Sequence, residues 1–168
     1  MNRLAGFVGL AALSLSACVP ASDGLVGRTL PPYPDGLEEL QGTCIAAADN
    51  PAAVCAYSVA VLGHRAQGGA GQPVHVVAQR NAGYDGQMPR WTVSDAAPYP
   101  AAATVHALQV STCRFDGEDD PHVVALVRHV PDREWSGDVA WARRLALATG
   151  RFAPVDPSRV ACLNEAAY

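Results

Sequence analysis

The 168-residue sequence contains no lysine, so all twelve of its basic side chains are arginines. Acidic residues number sixteen, and the formal net charge is −4 at neutral pH. Because proteins that bind nucleic acid present a basic face to the phosphates, this acidic balance argues against a nucleic-acid partner. It equally gives no support for binding to anionic lipid through a basic patch.

The sequence also lacks the short motifs that mark common catalytic and metal sites. It has no Gly-x-Ser-x-Gly elbow, no His-Glu-x-x-His, no Ser-x-x-Lys and no Cys-x-x-Cys. We therefore expect no catalytic residue, no cofactor and no metal ion. An enzyme whose residues come from separated strands would escape this kind of motif search and stays open as an alternative.

The first seventeen residues have the three parts of a secretory signal. Residues 1–3 carry one positive charge, and residues 4–15 form an apolar run too short to span a bilayer. The run ends in Leu15-Ser16-Ala17-Cys18, which resembles the lipobox of bacterial lipoproteins. The resemblance implies cleavage before Cys18, a diacylglycerol on its sulfur and an acylated amino terminus, which together anchor the chain permanently. The alternative is an ordinary cleaved signal.

The residue after the lipobox bears on the choice of membrane. In lipoproteins of the enteric type, Asp at this position favours retention in the inner membrane, whereas this chain has Val19. The resemblance therefore favours the outer membrane, with the domain facing the periplasm. The membrane would be a partner through the N-terminal lipid, and another envelope protein is a possible second partner.

Composition divides the chain into three parts: a signal peptide over 1–17, a tether over 18–36 and one globular domain over 37–168. The tether is rich in proline and glycine, which disfavour regular elements. Fully extended, it would reach on the order of 60 Å. Its Pro31-Pro32-Tyr33-Pro34 stretch suits a stiff linker, or alternatively a polyproline ligand.

The five cysteines divide into one lipid-attachment site and two pairs. Cys18 belongs to the lipobox, and an even number of remaining cysteines in an exported chain predicts two disulfides. Three connectivities are possible, of which we favour Cys44–Cys55 and Cys113–Cys162. The first would close a local loop, and the second would tie the C-terminal segment to the middle of the sheet. The spacings do not suit a zinc site.

The hydrophobic pattern predicts an α+β fold dominated by strands, with an antiparallel sheet of four to six strands and one N-terminal helix. Asn50 and Pro51 suit a helix start, the apolar residues that follow have helical spacing, and Gly63 suits its end. The run from Cys55 to Leu62 also alternates well enough for a strand, so that alternative stays open.

Alternation with period two predicts four strands, over 74–79, 90–94, 104–115 and 122–130. The third and fourth are predicted to form an antiparallel hairpin around the turn at 116–121. For residues 139–154 we prefer a second hairpin, with its turn near Gly150, over a helix across 139–149.

Three groups of side chains are candidates for chemistry, and each has a structural alternative. His75, His106, His122 and His129 lie on or beside predicted strands and would bind a metal only if they converged. The acidic residues Asp116, Glu118, Asp119 and Asp120 lack EF-hand spacing and suit a solvated turn better than a calcium site. Trp91, Trp135, Trp141 and Tyr99 suit core packing better than a ligand groove.

These observations favour a membrane-anchored, non-catalytic module that binds or supports another envelope component. The alternatives are an envelope hydrolase with a site built from separated strands and a periplasmic enzyme inhibitor. A pocket with two convergent titratable groups would favour the enzyme, whereas an apolar or aromatic patch on a sheet face would favour the binding module.

Overall fold

The computed structural model describes residues 24–47, 55–66, 71–101 and 105–164. These residues form thirteen β-strands, which make three antiparallel sheets, and one 3₁₀ turn at Pro157–Arg159. No α-helix occurs within the four ranges. The described residues likewise contain no helix long and apolar enough to cross a membrane.

The first sheet has five strands in the order β1-β5-β4-β3-β2. Four of them follow one another along the chain as successive antiparallel neighbours. The strands are β1 (Thr29–Leu30), β2 (Glu38–Ile45), β3 (Tyr57–Arg65), β4 (Gly71–Asp85) and β5 (Met88–Pro98).

The second and third sheets have four strands each and are built from the remaining chain. The second sheet contains β6 (Ala107–Val110), β9 (Val123–Val127), β11 (Val139–Ala146) and β12 (Arg151–Pro154). The third contains β7 (Cys113–Phe115), β8 (Glu118–Asp119), β10 (Trp135–Ser136) and β13 (Val160–Leu163).

The second sheet is the middle layer, and β9 shows this most clearly because all five of its residues are buried. Val124 and Leu126 pack with β3 of the first sheet in one apolar cluster. Val123, Ala125 and Val127 pack with the cysteines of the third sheet in another. Side chains on successive strand residues point to opposite faces, so a strand between two layers is apolar without interruption.

The predicted N-terminal helix is wrong, because Tyr57–Arg65 forms the strand β3. Val59 and Val61 pack towards the second sheet, and Ala60 and Leu62 pack towards the opposite face. A strand buried on both faces has no polar alternation, so its pattern is not distinguishable from that of a buried helix. The predicted cap at Asn50 and Pro51 lies outside the described residues.

Gly63 has a role different from the predicted end of a helix. Its position coincides with a shift of register between β3 and β4. A Cβ atom on Gly63 would lie 2.2 Å from the backbone oxygen of Gln72. Glycine is therefore required here because the two backbones approach each other closely.

The segment from Leu25 to Leu37 covers the free face of the first sheet. Leu25 and Leu30 are buried there in one cluster with Leu62 and Val93. Residues 24–36, which were expected to be part of the tether, therefore pack on the domain. The predicted signal peptide, Cys18 and the rest of 1–23 lie outside the described residues.

The dominance of strands is confirmed, with one correction to the predicted strand over 104–115. Ser111 has a positive φ of 68°, and the chain there passes from β6 in the second sheet to β7 in the third. β6 does pair antiparallel with β9, as predicted for these segments. The preferred hairpin over 139–154 is also confirmed, since Leu145 lies opposite Phe152.

Both disulfides have the pairing that we favoured. Cys44 is bonded to Cys55 beside β2 and β3, and Cys113 is bonded to Cys162 between β7 and β13. The second bridge lies in the cluster between the second and third sheets. It therefore links the C-terminal strand to the centre of the chain.

Candidate binding groove on the third sheet

A groove of about 360 Å³ lies beside β7, β10 and β13 of the third sheet, next to the segment 119–121. Cys113 and Cys162 are buried in the core, whereas Thr112 and Leu163, their neighbours in sequence, are only partly buried. Trp135 of β10 lies opposite Leu163 of β13 and gives the groove an apolar wall. The lining residues are Ser111, Thr112, Cys113, Asp119, Asp120, Pro121, Trp135 and Leu163.

An arginine holds the aromatic wall in place. The Arg114 guanidinium lies 3.8 Å from the centroid of the Trp135 ring. The Nε atom of Arg114 also donates to Asp119 Oδ1 at 2.7 Å. Stacking and ion pairing act on one guanidinium, so the indole is presented to the groove in a defined orientation.

Thr112 in the wall of the groove has a side-chain hydroxyl without a partner. Thr112 Oγ1 is buried and makes no hydrogen bond. The backbone oxygen of Thr112 is already used, since it accepts from the Leu163 N–H at 2.9 Å. An unpaired buried hydroxyl costs folding free energy, and this one is enclosed by the protein.

A second cavity of about 320 Å³ lies on the other side of the segment Asp119–Pro121. Asp120, only 8% exposed, stands between the two cavities. Its Oδ2 accepts from Arg144 Nε at 2.9 Å, and its Oδ1 accepts from the backbone N–H of His122 at 3.0 Å. The carboxylate therefore anchors the turn before β9 and is compensated by one arginine.

The serine, histidine and aspartate near this turn do not form a catalytic chain. His122 Nδ1 is 3.6 Å from Asp120 Oδ1, which is beyond hydrogen-bond distance. The Ser111 hydroxyl donates to the backbone oxygen of Pro121 at 2.9 Å. Nucleophilic catalysis needs a base that accepts the serine proton, and here a carbonyl oxygen accepts it.

The four candidate histidines have different neighbours and do not converge. His75 is buried in β4, and burial holds its pKa below the usual value. His106 lies 3.6 Å from Asp138, and the Nδ1 atom of His129 lies 2.9 Å from the side-chain oxygen of Asn164. Within the described ranges, no group of three or more histidine, cysteine, aspartate or glutamate residues is placed to hold a metal ion.

Arginines engage the acidic run at 116–120, which sequence reasoning took as a solvated turn. Asp116 pairs with Arg159, Asp119 with Arg114 and Asp120 with Arg144. The hydrogen bond from Arg159 holds the pKa of Asp116 below its usual range. The aspartates are thus partners of three arginines that come from β7, β11 and the 3₁₀ turn.

Only one of the three tryptophans lines the groove. Trp91 is buried opposite Leu30 in the first sheet, and Trp141 packs against the cluster between the first and second sheets. Core packing, the preferred interpretation, is therefore correct for these two and incomplete for Trp135. The groove itself escaped sequence reasoning because β10 and β13 are short and are brought together only by the third sheet.

Comparison of the chain with protein-family models, with curated proteins and with solved structures found no match. The groove and the N-terminal motif are therefore the features from which a function is inferred.

Proposed function

We propose that the chain is a lipid-anchored lipoprotein of the bacterial envelope, in the outer rather than the inner membrane, with its domain in the periplasm. The lipobox Leu15–Cys18 supports the anchor. The two disulfides support an oxidising compartment, since such bonds are rare in the reducing cytosol. Intact mass of the membrane-extracted protein tests this directly: a chain that begins at an acylated Cys18 is expected, and an unmodified Cys18 would contradict the anchor.

The domain acts as a non-catalytic binding module, and its binding site is the groove on the third sheet. The observation that carries this is the combination of a fixed indole, Leu163 and the exposed carboxylate of Asp119 in one concavity. Buried aromatic side chains with a few polar groups are typical of binding sites and of the energetic centres of interfaces. The expected occupant is a segment of another envelope component that offers an apolar side chain and one hydrogen-bonding group.

Site-specific photo-crosslinking in intact cells tests the groove. A benzoylphenylalanine at Leu163 is expected to give one discrete crosslinked envelope component. The matched control carries benzoylphenylalanine in place of Ala153, an exposed position on β12 outside the groove. This control should not give the crosslinked product. Trp135→Ala should weaken the crosslink at position 163 without loss of folded protein. Identical products at both positions, or none at position 163, would contradict the proposed site.

A further inference from the structure

Strands β4 and β5 continue as a two-stranded ribbon beyond the rest of the first sheet. The pairing of β3 with β4 ends at Arg80, and the pairing of β1 with β5 ends at Trp91. Asn81 still donates its N–H to the backbone oxygen of Ala56 at 3.0 Å, and beyond it the two strands pair with each other as far as Asp85 opposite Met88. The turn at Gly86, which has a φ of 62°, forms the tip.

The tip carries two of the most exposed large apolar side chains among the described residues. Tyr84 is 64% exposed and Met88 is 62% exposed. Tyr84 lies opposite Pro89, and Met88 lies opposite Asp85, so the two side chains occupy opposite faces of the ribbon. One face of the ribbon carries Tyr84 beside Pro89, and the other carries Met88 beside the ion pair of Asp85 and Arg90. An exposed apolar side chain next to paired charges suits the headgroup region of a bilayer, where apolar and polar groups meet. Tyrosine is, moreover, enriched at the interface between bilayer and water.

The attachment of the N-terminal segment limits how far this tip can lie from a lipid on Cys18. Leu25 is buried, and the N–H of Gly27 donates to Val93 at 2.8 Å, so the domain begins beside the middle of β5. Six Cα–Cα steps separate Cys18 from Gly24, which is a reach of about 20 Å at most. The ribbon extends from Val93 to Gly86 over a similar distance, about 23 Å.

The charge of this part of the surface is compatible with a bilayer. Asp85 and Arg90 lie 3.6 Å apart and compensate each other within the ribbon. The segments 24–30 and 82–92 together contain two arginines and one aspartate. They do not share the acidic excess of the chain, so an anionic membrane surface would repel the rest of the domain more than this edge.

We propose that the tip of the β4–β5 hairpin is a membrane-contact element, in which Tyr84 and Met88 enter the headgroup region of the bilayer that holds Cys18. This rests on the proposed lipid anchor. The Cys18 lipid and the tip then form two points of attachment. They fix the orientation of the domain and hold the groove on the third sheet at a constant angle to the membrane.

Quenching by brominated lipid tests the contact on the full-chain lipoprotein. Wild type, Tyr84→Trp and Val105→Trp are reconstituted into vesicles of phosphatidylethanolamine and phosphatidylglycerol with or without brominated phosphatidylcholine. Val105, 65% exposed and outside the ribbon, is the matched control. The wild type has three tryptophans, so Tyr84→Trp has four. If the fourth is inserted, bromolipid should remove about a quarter of the tryptophan emission of this variant, in addition to any loss seen with the wild type. Val105→Trp is expected to show no additional loss.

Equal quenching of the two variants would overturn the membrane contact. A blue shift of Tyr84→Trp that depends on protein density, without quenching, would also overturn it and would indicate that a second copy covers the tip. Intact mass of the same vesicle sample separates the two proposals. Lipid on Cys18 without added quenching at position 84 refutes the membrane contact alone, whereas an unlipidated chain refutes the anchor and the contact that rests on it.

Discussion

Gln79 offers a strict test of the packing, because it is fully buried and neither its side-chain nitrogen nor its oxygen has a hydrogen-bond partner. It lies in β4 between Ser58 of β3 and Val93 of β5. We expect Gln79→Met to stabilise the protein, since methionine has a similar length and volume and no polar group to desolvate.

The expected gain follows from the cost of burying an amide without a hydrogen bond, which is about 1–3 kcal/mol in mutational data. Imperfect packing of the new side chain subtracts part of this, so we expect a net increase of about 1–2 kcal/mol in the free energy of unfolding. For a domain of this size the thermal midpoint should rise by roughly 3–6 °C. The assay is equilibrium unfolding in urea with the disulfides intact. The slope of the free energy of unfolding against urea concentration should not change.

Gln109 provides the control for the amide nitrogen: it is also buried and its side-chain oxygen is also unpaired, but its nitrogen donates to the backbone oxygen of Leu163 at 2.9 Å. Gln109→Met loses this hydrogen bond and should destabilise the protein by about 1 kcal/mol. If Gln79→Met destabilised the protein as much as Gln109→Met does, the amide of Gln79 would have to be hydrogen-bonded in the folded state. Such a result would refute the absence of a hydrogen bond to the buried Gln79 amide.

Four further variants test other parts of the fold. Gly63→Ala should destabilise the domain by about 2 kcal/mol or more in the same urea assay, because its Cβ would collide with the Gln72 backbone; an unchanged midpoint would contradict the close approach. Burial raises the pKa of Glu39 above its ordinary 4.5, so the folded state favours the protonated form and stability should fall as pH rises through the raised value. Glu39→Gln should make the loss of stability with rising pH less steep. An equally steep loss in this variant would mean that another titrating group causes it. Replacing both cysteines of a pair with alanine should cost about 4 kcal/mol for Cys113–Cys162 and about 3 kcal/mol for Cys44–Cys55, since the bonds close loops of 49 and 11 residues. The reverse order of urea midpoints would contradict this ranking.

A strand could be predicted from the sequence where one of its faces is polar. Where both faces are buried, the sequence was ambiguous between strand and helix. β11 and β12 alternate, and their hairpin was predicted correctly. β3 has apolar residues on both faces because Leu25 and Leu30 cover the side that does not meet the second sheet. No local pattern indicates that a proline-rich segment will cover a sheet. Neither the strand β3 nor the packing of Leu25–Leu37 on the first sheet therefore followed from the sequence.

The cysteine pairing was predictable because only four cysteines remained and an exported chain favours disulfides. The groove was not predictable, because Trp135 and Leu163 are 28 positions apart and β10 and β13, which carry them, have only two and four residues. The composition, with twelve arginines and sixteen acidic residues, was the one available signal for the ion pairs at the acidic run 116–120. It indicated ion pairs, but not which arginine approaches which aspartate.

The burial of β9 between two layers has a consequence for the chain before it folds. Val-Val-Ala-Leu-Val is a run of five apolar residues with high strand propensity and no charge, and such runs aggregate when they are exposed. The residues around the run act as gatekeepers: Asp120 and Pro121 precede it closely, and Arg128 follows it directly. The same aspartate that anchors the turn in the folded domain thus interrupts self-association of the unfolded chain. Changes at Asp120 or Arg128 are therefore expected to lower the yield of folded protein by more than their effect on stability explains.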